Sequence, residues 1–253
     1  MVEGFVPTAG ALLPELSPRD ELVLLARTLW REGYDDHLAG HISYRQPDGT
    51  LLCNPWHLLW EELRPDDILR IDLDGTVLEG RWPVPLGIPL HLELHRRRPD
   101  VVVAVHSHPR FATVWADLGR VPECYDQSSA LGGGEPVLVD EYDGPVNSSA
   151  SAARAVESLG DAASALLANH GVLVTAASIR AAHQRAVALE YRSQRAWYVE
   201  SIGPGRPLPD PARSFFRASD GEGFIGFFEA MARRELKRDP ECLEPRGTTE
   251  DRN

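Results

Sequence analysis

Cysteine is scarce in this sequence: Cys53, Cys124 and Cys242 are the only three among 253 residues. An odd, widely spaced set gives no disulfide framework and no Cys-x-x-Cys metal pair. Reduced thiols in a cytoplasmic protein are the expectation. Positive charge is also short, with 26 Lys+Arg against 38 Asp+Glu and a formal net charge of −12. The resulting pI near 5.2 argues against nucleic acid as a partner, which calls for a basic surface, and against a polybasic membrane anchor. No apolar run approaches the ~20 residues of a membrane span. The opening stretch MVEGFVPTAGALLPEL has neither the basic start nor the compact apolar centre of a secretory leader.

What is present reads as globular. Hydrophobic residues make up 43% and charged residues 25%, close to the averages for folded domains, so bulk disorder is not expected. Residues 1–17, with Pro7 and Pro14, read as an extended arm. Ser17 and Pro18 suit the cap and first position of a helix that Gly33 would stop. Short strands are expected at 41–45 and 51–53 around the turn Pro47-Asp48-Gly49, and another at 68–73. A helix follows over 87–98, and then the strongest strand signal, the β-branched run Val101-Val102-Val103-Ala104-Val105. Further helices are expected at 109–118, 149–159, 224–237 and, capped by Ser178, from 179 to 201. Strands are expected at 165–167 and 172–175, a proline-rich linker from 204, and a frayed charged tail over 239–253.

The chemistry lies in the histidines. His106 and His108 end the strong strand, and residues two apart on a strand point to one side. Two imidazoles so placed can converge on one ion, at ~2.0–2.1 Å for zinc; they can equally be a pair of histidines exposed at a strand end. A metal needs a further ligand, and His170 is the candidate, since Gly171 lets the chain turn tightly after it. His91 and His95, four apart on a helix, lack an HExxH pattern and read as structural.

Several segments together resemble the class II aldolase/adducin family. They are Gly40-His41-Ile42-Ser43, Asn54-Pro55-Trp56-His57-Leu58-Leu59-Trp60, Arg98-Pro99-Asp100-Val101, His106-Ser107-His108-Pro109 and Asn169-His170-Gly171, in family order across residues 20–202. The resemblance implies an α/β fold, an α/β/α sandwich around a mostly antiparallel central sheet, over residues 18–203. It leaves residues 1–17 as an arm and 204–253 as linker, short helix and tail. It implies a cyclic homotetramer acting on a small molecule, with sites at subunit interfaces. It also implies a divalent metal, usually zinc with manganese or iron as alternatives, held by His106, His108 and His170. Such an ion acts as a Lewis acid on the enediolate left when a C–C bond breaks.

The sequence departs from the sugar-phosphate aldolases of that family. Their Ser-Ser-Glu stretch, with the phosphate-binding serines and the acid/base Glu, is replaced by Pro85-Leu86-Gly87-Ile88. Their Gly-Asn phosphate-binding pair reads Gly40-His41. A phosphorylated sugar is therefore not the expected substrate. His41 becomes a candidate catalytic donor or base, with a structural role as the other reading. Tyr125 falls where fuculose-type aldolases place a proton-donating tyrosine. The expectation is a metal-dependent lyase for a phosphate-free hydroxy- or oxo-carboxylate or aldehyde adduct, with decarboxylation favoured by the missing Glu. The alternatives are a non-haem Fe(II) oxygenase/decarboxylase of the prenylated hydroxyphenylpyruvate type and a non-catalytic adducin-like scaffold.

Overall fold

A computed structural model describes residues 12–140, 148–218 and 226–246. The expected arm over 1–17 therefore lies mostly outside the described residues. Eight strands form one sheet: β1 (His41–Arg45), β2 (Leu51–Cys53), β3 (Leu69–Ile71), β4 (Val77–Glu79), β5 (Val103–Ser107), β6 (Val137–Val139), β7 (Ser164–Leu167) and β8 (Gly171–Ala176). Their order is β4-β3-β2-β1-β5-β8-β7-β6. Every pairing is antiparallel except β6 with β7. The helices are α1 (Pro18–Arg31), α2 (Ile88–Arg97), α3 (Ala112–Asp117), α4 (Ser149–Leu159), α5 (Ile179–Ile202), α6 (Asp210–Ala218) and α7 (Phe227–Arg238).

Strand alternation sorts side chains between two cores. Ile42, Val103, Val105, Val172 and Val174 face a layer built from α1, α5 and α7. Ala104, Ala165, Leu167 and Leu173 face the opposite layer, with Leu90 and Leu94 of α2 and Val156 and Leu159 of α4. The expected sandwich around a mostly antiparallel sheet is thus observed. Local chemistry starts its helices where the sequence signals them. Ser17 accepts from Asp20 N at 3.2 Å while the Asp20 carboxylate accepts from Ser17 N at 2.9 Å, a reciprocal cap ahead of Pro18. Ser178 caps α5 through Ala181 N at 3.2 Å. Among the described residues, no helix is long and apolar enough to cross a membrane.

The structure differs from the sequence reading in three places. β4 and β6 are three-residue edge strands, too short to show a period. The proline-rich stretch gives way to α6 at Asp210, because Pro211 sits in the first turn, where a missing N–H costs nothing. The tail does not fray through residue 246: Cys242 is fully buried, and the Arg246 guanidinium donates to the buried Asp67 carboxylate at 2.9 Å.

The C-terminal helix is locked to the body by a buried ion pair. Arg27 of α1 donates from Nε to Glu235 Oε1 of α7 at 3.0 Å and from Nη2 to Asp239 Oδ2 at 2.6 Å. Only 4% of the Arg27 side chain and 3% of that of Glu235 is exposed. Removing one partner strands the other charge in the core, which costs about 3–5 kcal/mol. Glu235→Ala should lower unfolding free energy by that amount in urea titrations at fixed protein concentration. A loss below about 1 kcal/mol, the range of a surface pair, would show that α7 is held by other contacts.

Candidate metal centre

The centre of the sheet carries the histidines. β5 extends past its apolar run through Ser107, so His106 lies inside the strand, paired across to His41 of β1 and to Leu173 of β8. His108 follows just beyond the strand end. β7 and β8 are joined by a tight turn in which Asn169 takes a left-handed φ of 53°, and His170 projects from it. Gly171 is required there, because a Cβ would meet both Ser107 O and His108 Cδ2 at 2.5 Å. The two strand ends lie side by side, as the sequence suggested. Ring centroids are 5.4 Å apart for His106 and His108, 4.8 Å for His106 and His170, and 4.9 Å for His108 and His170. One ring nitrogen from each lies within 4.8 Å of the others.

The donor set fits a divalent ion. His106 Nδ1 donates to Val172 O at 2.8 Å, so its Nε2 carries a bare lone pair. His108 Nδ1 lies 2.7 Å from Asp36 Oδ2, and its buried Nε2 has no hydrogen-bond partner. A carbonyl and a carboxylate thus orient two rings with their Nε2 atoms free, the arrangement that fixes tautomers at histidine-metal sites. Burial, with the neighbouring imidazoles adding to it, pushes His106 far below the usual histidine range and His170 down to about 4. Neutral imidazoles are the form that ligates a metal. Burial pushes the Asp36 carboxyl up, but the bonds to His108 and His37 outweigh it and hold it below its ordinary value. Asp36 is the residue that sequence reasoning missed. It stands in an exposed-looking acidic pair, Asp35-Asp36, and only the fold carries it to His108.

The remaining sequence candidates separate. His41 joins the cluster: its ring centroid lies 5.1 Å from that of His106, and it is 6% exposed. It occupies the space over Gly87, where a Cβ would fall 2.1 Å from His41 Cε1. Burial, then His108 and His170, lowers its pKa to about 3. Tyr125 does not join. It packs with Trp115 and Leu166, lies against Gly205, and its hydroxyl reaches Glu200 Oε1 at 3.4 Å. Trp60 is structural, donating from Nε1 to Gly40 O at 3.2 Å. Glu93, on the helix after the missing acid, pairs with Arg97 and Arg96.

Asp36→Ala removes the acceptor that orients His108. Metal affinity, measured by competition with a chromophoric chelator, should fall about 10- to 100-fold, and Asp36→Asn, which keeps an acceptor oxygen, should lose less. Unchanged affinity in the alanine variant would remove Asp36 from the site.

Comparison with known proteins agrees with this architecture. Residues 20–197 match the class II aldolase and adducin N-terminal domain. The chain is 31% identical over 191 residues to 5-methylthioribulose-1-phosphate/5-deoxyribulose-1-phosphate aldolase of Rhodospirillum rubrum, covering 76% of this chain and 85% of that one. It is 32% identical over 213 residues to 3,4-dihydroxyphthalate decarboxylase of Arthrobacter keyseri, covering 78% and 85%. The solved structure of L-fuculose 1-phosphate aldolase from Glaciozyma antarctica superposes with a TM-score of 0.80 at 22% identity, covering 95% of this chain and all of that one. With a family match over most of the chain and relatives above 30% identity among both aldolases and decarboxylases, this chain belongs to the class II aldolase and adducin N-terminal domain family.

Proposed function

We propose that the chain is a divalent-metal-dependent lyase that breaks a C–C bond of a phosphate-free hydroxy- or oxo-carboxylate or aldehyde adduct. The observation that carries this reading is the exchange at Gly87. In the segment where sugar-phosphate aldolases hold their serines and Glu, this chain has a position that admits no side chain, because the His41 ring fills the space. The phosphate-binding groups and the carboxylate acid/base are lost together, and an imidazole stands in their place beside the histidine triad.

His106, His108 and His170 would hold the ion, zinc by the family pattern, with manganese or iron as alternatives. A bound divalent ion supplies Lewis acidity to the substrate oxygens. His41, whose ring lies against that of His106, would be the group that accepts the proton of a substrate hydroxyl as the C–C bond opens. Decarboxylation suits the site because the carboxylate leaves without prior deprotonation by the missing Glu. The relative named 3,4-dihydroxyphthalate decarboxylase supports a phosphate-free hydroxy acid as the substrate class. Tyr125 contacts Glu200 and Gly205 and no residue of its own chain's triad, so a role as proton donor would require an oligomer, the homotetramer of the family pattern, in which it reaches a neighbouring subunit's ion. Three buried free thiols accord with a cytoplasmic location.

Elemental analysis of protein purified without added metal, beside the His106→Ala/His108→Ala double variant, tests the site. Near-stoichiometric zinc or manganese, lost in the variant, is expected. Carbon dioxide release or aldehyde formation from a panel of hydroxy- and oxo-carboxylates should follow the metal, with no turnover of sugar phosphates. Iron with substrate-dependent oxygen uptake would transfer the site to an Fe(II) oxygenase. No metal in either protein after reconstitution would leave a scaffold. Turnover confined to sugar phosphates would reverse the substrate class.

A further inference from the structure

α5 carries a buried carboxylate outside the histidine cluster. Glu190 is 6% exposed, and each of its oxygens accepts a peptide N–H from the segment that follows His108. Phe111 N–H donates to Oε1 and Ala112 N–H to Oε2, both at 2.8 Å. These N–H groups stand at the start of α3, where a helix offers its own backbone donors no partners. Phe111 holds the cap position and makes no side-chain cap bond, so Glu190 supplies the cap from α5. Burial pushes the Glu190 pKa up to about 7, and the Ala112 and Phe111 N–H groups pull it back. A carboxyl sealed in the core is costly unless it is bonded, and these two peptide N–H groups are what bonds this one.

The same carboxylate lies over the turn that follows α1. Gly33 has a left-handed φ of 96°, and a Cβ there would come within 3.3 Å of Glu190 Oε1. Arg110 N–H donates to Gly33 O at 3.2 Å. The Arg110 guanidinium grips the Asp35 carboxylate through Nε, at 3.0 Å, and through Nη2. Tyr34, 1% exposed, donates from its hydroxyl to Ala186 O of α5 at 2.8 Å, one turn before Glu190. Residues 33–36 and 108–112 are thereby clamped to each other and to one stretch of α5. At the end of this clamp Asp36 Oδ2 meets His108 Nδ1 at 2.7 Å. The Arg110–Asp35 pair is weak, because 66% of the Arg110 side chain is in solvent. The bonds to Glu190 are shielded from water, where a hydrogen bond is stronger.

We propose that Glu190 is a positioning residue of the metal centre: by holding Phe111 N–H and Ala112 N–H against Gly33, it sets the 108–112 turn in register with the 33–36 turn, so that Asp36 orients His108. The proposal rests on the reading of His106, His108 and His170 as a metal site and extends that site to α5. It accounts for the glycine at position 33, where a side chain would press on the carboxylate. It accounts as well for an acid where α5 passes the start of α3, since an apolar residue would leave two buried N–H groups without acceptors. A second tie between the same two helices provides a comparison. Trp115, 3% exposed, donates from Nε1 to Ser193 O at 2.9 Å, further along α3 and away from the turn.

Glu190→Gln keeps the shape of the side chain, leaves one acceptor oxygen for two N–H groups, and sets an amide donor against one of them. Zinc affinity, measured by chelator competition above the pKa of Glu190, should fall about tenfold, as for other outer partners of a metal ligand. Trp115→Phe, which loosens α3 from α5 elsewhere, should lower stability while zinc affinity stays within about twofold. In an Asp36→Ala background the loss from Glu190→Gln should shrink to about twofold or less, because residues acting through one contact are not additive. Unchanged affinity in Glu190→Gln, an equal loss in Trp115→Phe, or an undiminished loss in the Asp36→Ala background overturns the proposal. Crystal structures of metal-free wild type and Glu190→Gln read the clamp without the ion. The variant should lose the Asp36–His108 hydrogen bond, and a retained bond overturns the proposal. If the wild type takes up no metal, the proposed function fails, and this pair of structures alone decides whether Glu190 sets Asp36 against His108.

Discussion

The antiparallel register between β1 and β5 is the constraint on which the site depends. It sets His41 directly opposite His106 and Ser43 opposite Ala104. The two-residue period of the strand then puts all four on the α2 face, while Ile42, Val103 and Val105 enter the other core. A slip of β1 by one residue would move His41 and Ser43 into the layer of α1 and α5 and bring Ile42 under α2. The small side chains of Ser43 and Ala104 leave room for two imidazoles of α2, and Gly87 leaves room for a third from β1. Packing and chemistry are specified by the same alternation.

The second constraint is solvation. His41, His91, His95, His106 and His170 have pKa values driven down mainly by burial, together with like charges nearby. Five uncharged imidazoles around one sheet centre are costly only if their nitrogens find no partners. A carbonyl and a carboxylate serve His106 and His108. Ser43 and Val101 O serve His91 and His95. A divalent ion is the partner that His108 Nε2 still needs. His108 Nε2, His41 Nδ1 and His91 Nε2 are the nitrogens at the sheet centre that have no hydrogen-bond partner within the protein. The outer elements serve this centre indirectly: the buried Arg27–Glu235 pair holds α7 on the layer that backs the sheet.

Much of this was legible in the sequence, and the limits have physical causes. The triad could be read because His106 and His108 obey the strand period and Gly171 marks the turn behind His170. The antiparallel sandwich came with the family motifs, not from periodicity. The loss of the carboxylate at Pro85-Leu86-Gly87-Ile88 was legible as an absence. That His41 fills the resulting space was not, since it depends on how far α2 stands from β1. Asp36 and Ser43 carry no local signal: each acquires its role from a partner dozens of residues away. β4, β6 and α6 were missed because three-residue strands have no period and because four prolines over 204–211 mask a helix start. The C-terminal tail looked frayed by composition, yet the guanidinium of its Arg246 binds Asp67 and the Arg246 backbone N–H binds Asp66.

The central claim is that one ion sits among His106, His108 and His170 while His41 stands beside it without ligating it. Anomalous-difference X-ray maps collected on either side of the absorption edge of the metal found in the crystals test this most directly. The account predicts one peak per chain within bonding distance, ~2.0–2.3 Å, of Nε2 of His106 and His108 and of a ring nitrogen of His170, with His41 outside that distance. A peak bonded to His41, or no peak at the triad in metal-replete crystals, would contradict it.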